Sequence, residues 1–294
     1  MGVTISVPTL NDGIPDFEHL FELYDRLQDE DGQVTFTFWR CEFLRHAAAA
    51  FLGGLRAAVR LNGGDIFIDS KSMRSGVRLN LVKNGFLDAD DTTTVRDTGN
   101  VVPFRHDPID NGLAGAVPLM QYLFSHLLEK DWVHMSPGIQ SAVAGTIWEI
   151  YANAFEHSRS DAGIFSCGQY YPTIGQVGLA IIDFGIGIPQ SVRDYHRSAP
   201  GTDNYLTSIE ALHWALGPGH STKSQGYSGL GLDFVQSFMR ANDGLLDIYT
   251  HDASVRINAK GMSYRPLSTF FPGTAFNLRL QCDGSKYFQF EGEK

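Results

Sequence analysis

The chain has 294 residues, 43% of them hydrophobic and 19% charged, with a formal net charge of −10. That length allows one large domain or two modest ones with real cores. The charge disfavours capture of nucleic acid or an anionic membrane, which needs a basic face. No window approaches the roughly 18 consecutive apolar residues of a membrane span, so the expectation is a soluble, cytoplasmic protein with neither nucleic-acid nor membrane partner.

The start, MGVTISVPTLNDG, lacks a basic segment followed by an apolar one, so no secretory leader is expected. Gln33–Trp39 (QVTFTFW) alternates as a strand does. Phe43–Leu61 has helical periodicity and stops at Asn62-Gly63-Gly64. Asp65–Asp69 (DIFID) reads as a second strand, and Val77–Val82 opens a helix that ends before Asn84-Gly85. Cys41, Cys167 and Cys282 are odd in number and far apart, without a CxxC, which suits reduced thiols. The stretch Asp88–Asp107 is polar and reads as a linker region. It sets the expected boundaries at 1–97, a linker at 98–111, and 112–294.

Gly112–Leu128 and Pro137–His157 are long helical patterns. Gly163–Tyr170 and Val177–Ile182 read as strands, the second continuously apolar and so buried on both faces. Tyr205–Leu216 and Gly229–Ala241 read as helices, and Leu245–Thr250, Val255–Ala259 and Thr274–Leu280 as closing strands. The class is α/β (α+β), with a helical layer expected on one face of a mixed sheet.

Four stretches carry chemistry. AIIDFGIGIP (180–189) contains Asp183-Phe184-Gly185, the tripeptide with which protein kinases hold magnesium. The Gly-rich loop, strand lysine and HRD loop of that family are missing, and there is no GxxxxGK[ST] phosphate loop. In WEIYANAFEHS (148–158), Glu149, Asn153 and His157 recur at i, i+4 and i+8 along one helix face. Ile147, Ile150, Tyr151, Ala154 and Phe155 cover much of the rest, so the polar row is not expected to be a solvated face. A carboxylate beside a carboxamide suits a magnesium ligand and a water-positioning group; a capped or salt-bridged helix fits the same row. GPGHSTKSQGYSGLGLDFV (217–235) has glycines that let backbone N–H groups approach phosphate oxygens, and its last pair opens a helix whose N-terminus favours an anion. A flexible surface loop fits that composition too. PGTAFNLRL (272–280) sets Gly273-Thr274 at the mouth of the terminal strand.

In this order and at these distances the four stretches resemble the boxes of the GHKL ATPase superfamily, over about residues 110–281. The resemblance implies a Bergerat-type two-layer α/β sandwich that binds ATP and Mg²⁺. Asp183 would accept a hydrogen bond from the adenine amino group, with Thr274 assisting. Gly185, Gly187 and Ile188 would border the nucleotide. Asn153 would be the magnesium ligand and Glu149 the catalytic residue that polarises the attacking water or hydroxyl. His157 would cap the helix, support the site indirectly or touch the ligand. Residues 188–228 would form an ATP lid. Ser221, Thr222 and Lys223 would surround the phosphates with the backbone of Gly229, Leu230, Gly231 and Leu232.

Residues 1–97 resemble, more faintly, a STAS-like regulatory domain, through the β-α-β-α order of Gln33–Phe86 and the ending LVKNGF (81–86). Such a module implies a protein partner or homodimer. The leading expectation is a slow ATPase acting as a conformational switch. The alternatives are a serine kinase of the anti-sigma-factor type, with Ser70 and Ser72 as acceptors, and a nucleotide sensor without turnover. His46 and His126 lie in helical patterns without a phosphoacceptor setting, and His46 is expected to be packed and satisfied.

Overall fold

The computed structural model describes residues 2–89, 99–109, 116–198, 206–217, 230–282, 284 and 286–293, with the backbone alone at 230–233, 235 and 236. Three short strands, β1 (Val3–Ser6), β2 (Gln33–Thr37) and β3 (Asp65–Ile68), pair in parallel in that order. Parallel neighbours need a crossover, and two helices supply it: α1 (Ile14–Leu27) and α2 (His46–Leu61). Pro15 sits in the first turn of α1, and the Asp16 carboxylate reaches back to the Gly13 N–H at 3.0 Å. Ala47–Ala50 of α2 are all buried, which lets the helix lie close to its neighbours on several sides. Helix α3 (Ser75–Lys83) ends this region.

The remaining strands are β4 (Val101–Asp107), β5 (His134–Met135), β6 (Ile164–Tyr171), β7 (Gln176–Asp183), β8 (Leu245–Asn258), β9 (Gly261–Gln281) and β10 (Tyr287–Phe288). Five of them form one sheet in the order β4-β6-β7-β9-β8; β5 pairs separately with β10. The sheet expected to be mixed is antiparallel throughout. Short connections explain this. β6 returns as β7 through Pro172–Ile174, and β8 returns as β9 through the Ala259-Lys260 tip. Leu245–Thr250 and Val255–Ala259, read as two strands, belong to the single strand β8, bent where the register shifts at His251.

Part of the stretch read as a linker, 98–111, is β4. Pro103 and the polar Arg105, His106 and Asp107 disguise it, and the ladder shifts register between Val102 and Arg105. A proline at an irregular point of an edge strand loses no central hydrogen bond.

Helices cover both faces of the large sheet, where one helical layer had been expected. On one face α1 and α2 bring Phe17, Phe21 and Phe51 against Phe165, Phe184, Tyr249 and Phe271, so residues on either side of the expected domain boundary share one core. On the other lie α4 (Ala116–Leu123, continued by a π-helical turn at Phe124–Leu128), α5 (Pro137–His157) and α8 (Leu230–Asn242). Within the expected lid, Gly187–Ser198 (α6) and Ser208–Ala215 (α7) are helices. Thr207 caps α7 in a reciprocal box with Glu210. Among the described residues, no helix is long and apolar enough to cross a membrane.

Candidate functional site

Strand alternation splits the Asp183-Phe184-Gly185 tripeptide between two faces. Val177, Leu179 and Ile181 pack on the α5 side of β7, while Ala180 and Ile182 pack toward α1 and α2. Asp183 continues the first series. Phe184 turns the other way, into rings of Tyr24, Phe51, Phe165 and Phe271 with centroids 5.1–6.0 Å away. The aromatic residue anchors the loop and leaves the carboxylate at the strand's end.

Asp183 is buried, and its Oδ1 accepts the Gly185 N–H at 3.0 Å. Burial pushes its carboxyl up to about 7, against the downward pull of the Gly185 and Thr274 backbone N–H groups. Thr274 is the direct cross-strand partner of Asp183, and Thr250 of β8 is the next in the row. The Thr250 hydroxyl donates to the Gly273 carbonyl at 2.8 Å. The sheet thus presents a carboxylate and two threonines side by side at one end of its α5 face.

Backbone contacts explain the glycines. A Cβ at Gly185 would run into the Ser158 carbonyl, and one at Gly187 would meet the Pro272 carbonyl in a backbone already at φ +70°. Ser158, the C-cap of α5, accepts the Ile186 N–H at 2.7 Å, and Ser160 Oγ accepts the Phe184 N–H at 3.2 Å. On the other side His251 Nε2 donates to the Ile186 carbonyl at 2.9 Å. Its Nδ1 faces the Arg193 guanidinium at 3.4 Å and so is the acceptor. Burial, and then the nearby Arg193 charge, hold His251 below the usual imidazole range, although its carbonyl contacts work the other way. Arg193 is itself pinned to the Leu206 carbonyl and Ser208 hydroxyl.

Helix α5 begins at Ser136, whose side chain caps Ile139 N. Its buried side carries Val143, Ile147, Ile150, Tyr151 and Ala154. The polar row was not expected to be a solvated face, yet Glu149 and Asn153 are exposed and His157 is half-buried. The apolar neighbours bury the flanks of the helix and leave the row as an open stripe. Along the axis Asn153 and Glu149 stand about 8 and 14 Å before Ser158, the residue that grips the loop.

The structure therefore gathers Asp183, Gly185, Gly187 and Thr274, and sets Glu149 and Asn153 on the helix tied to their loop. Ile188 is half-buried and packs on the α5-side core. Leu230, Gly231 and Leu232 form the first turn of α8, which packs against α5. Ser221, Thr222, Lys223 and Gly229 lie outside the described residues, as does His220. Among the described residues no group of three or more His, Cys, Asp or Glu side chains is placed to hold a metal.

Ser72, one acceptor candidate, is buried, with its hydroxyl donating to the Asp69 carbonyl and accepting the Phe38 N–H. Ser70 is half-buried. His46 is fully packed, its ring nitrogens 3.0 Å from the Tyr171 hydroxyl and 3.0 Å from Asn277 Oδ1. Sequence reasoning missed Ser158, Ser160, Arg193, Thr250 and His251. Nothing local marks them; only the cross-strand pairing of Thr250 with Thr274 could have drawn attention to that position.

No protein-family model matches the chain, and no curated protein matches it. Any function rests on the geometry above.

Proposed function

We propose that this chain binds an adenine nucleotide with Mg²⁺ in the manner of the GHKL ATPases, hydrolyses it slowly, and passes the nucleotide state to a protein partner or second copy as a conformational switch. The supporting observation is Asp183: a buried carboxylate at the end of a central strand, beside Thr274, on a glycine loop tied to the helix that carries Glu149 and Asn153. A buried carboxylate that ionises near neutrality suits the exocyclic amine of adenine, because a desolvated acceptor gains most from a matching donor.

The donors present fit magnesium. Mg²⁺ keeps several waters and takes few protein ligands beside substrate phosphates, so the open Asn153 carboxamide suffices without an acidic cage. When bound, the ion would neutralise charge on the phosphates. Glu149, on the same stripe, would orient and polarise the attacking water. In this reading the C-terminal part is the Bergerat-type sandwich, the N-terminal α/β part is its STAS-like regulator, and Phe184 ties the two.

Calorimetry with a non-hydrolysable ATP analogue and Mg²⁺ tests the proposal. Binding that Asp183→Asn weakens at least tenfold is the expected result, and no binding to the wild type would refute it. Steady-state turnover separates switch from sensor: Glu149→Gln should retain binding and lose hydrolysis.

A further inference from the structure

At the opposite end of the large sheet, on the face that carries α1 and α2, the chain places a second charged cluster. Asp247 of β8 is buried and takes two guanidinium groups: Arg256 through Nε at 2.7 Å and Nη2 at 3.0 Å, and Arg279 through Nη2 at 2.7 Å. One carboxylate cannot neutralise two cations. Lys260, at the exposed tip of the β8–β9 hairpin, adds a third, and Asp243 returns one negative charge at the rim. The sum is +1 locally, on a chain whose net charge is −10.

Arg256, Arg279, Lys260 and Asp243 line a cleft of about 220 Å³ with Gln176, Asn258 and Gln281. Donors there exceed acceptors. Arg279 Nε is buried and has no hydrogen-bond partner, while the Arg279 side chain as a whole is only 19% exposed. Asn258 Oδ1 is taken by the Lys260 N–H at 2.9 Å, which turns the amide nitrogen to other use. A guanidinium buried with one N–H unpaired and half a carboxylate for counter-charge is incompletely compensated, and an anion beside it would lower that cost.

We infer that this cleft is a binding site for a small oxyanion, the phosphate or carboxylate group of a small ligand. Arg256 and Arg279 both line the cleft and are both held by Asp247, and the planar guanidinium is the cation that matches oxyanions best. The cleft is smaller than the roughly 300–1,000 Å³ of pockets that enclose drug-sized ligands, so it suits a free anion or the anionic tip of a larger molecule. Gln176 and Asp183 are the two ends of β7, which puts the cleft about 23 Å from the adenine-type site. The inference does not depend on the nucleotide reading.

The test uses the full chain. Inorganic phosphate and, separately, malonate are titrated by calorimetry against sodium chloride at matched ionic strength, in wild type, Lys260→Glu and Lys260→Ala. Lys260 is exposed on a hairpin tip, so both variants should fold, and far-UV circular dichroism verifies it. Binding of at least one anion, weakened about tenfold or more by Lys260→Glu and less by Lys260→Ala, is expected. The responding anion identifies the chemical source. Heats no different from chloride, or wild-type affinity retained in Lys260→Glu, overturn the proposal.

Discussion

Asp183 shows how much burial does to one carboxylate. Burial favours its neutral form and lifts the carboxyl to about 7, while an unfolded aspartate ionises near 3.9. Between those values the folded state holds a proton that the unfolded state has released. This contribution to stability is therefore complete below about pH 4 and lost as pH rises through 7, a span of roughly 2–4 kcal/mol. Denaturant titrations at pH 5 and pH 8 should show that loss in the wild type and not in Asp183→Asn. Nucleotide affinity should run the other way, rising about tenfold from pH 6 to pH 8 as the carboxylate ionises. Gly185→Ala is a separate case. Its Cβ meets a backbone carbonyl that is itself engaged by Ile186, so we expect a loss of about 2–4 kcal/mol in thermal or chemical denaturation.

At the scale of elements, the loop after β7 is tied on several sides: by the α5 C-cap, by the bulge of β8 at His251, and by Phe184 among the rings of α1 and α2. Removing that ring should cost about 3–5 kcal/mol, measured for Phe184→Ala by urea denaturation. Because the ring anchors the glycine loop, nucleotide affinity should fall in the same variant under conditions where it remains folded. The elements differ in how openly their sequences declare them. The expected range of α5 is the observed one, because its N-cap serine, Pro137 and sustained apolar period all agree. β4 hid behind Pro103 and three polar residues, since an edge strand with a register shift need not alternate.

At the scale of the whole molecule, the N-terminal helices are half of the cover of the central sheet. Phe165, Ile182, Tyr249, Phe271 and Ala275 lose their packing without α1 and α2. Residues 99–294 expressed alone should therefore bind the dye ANS strongly or precipitate, whereas the full chain should not. A freely soluble fragment with a sharp unfolding transition would show that the shared core is dispensable. The same arrangement gives any partner that grips α1 or α2 a mechanical path to the glycine loop through Phe184.

Local chemistry was enough to read α2 to α5, α7 and α8, though not α1 or α6, together with the apolar run of β7 and the residue types of the candidate site, because caps, periodicity and glycine spacing act within a few residues of one another. Which face each residue serves was settled by long-range pairing. β7 against β9 sets Asp183 beside Thr274, and the bend in β8 delivers His251 to the Ile186 carbonyl. Packing of α1 and α2 on the sheet decided that two stretches separated in sequence share one interior. A chain's local code reports propensity and pattern, but contacts between residues far apart in sequence depend on how the strands register, and that is a property of the folded whole.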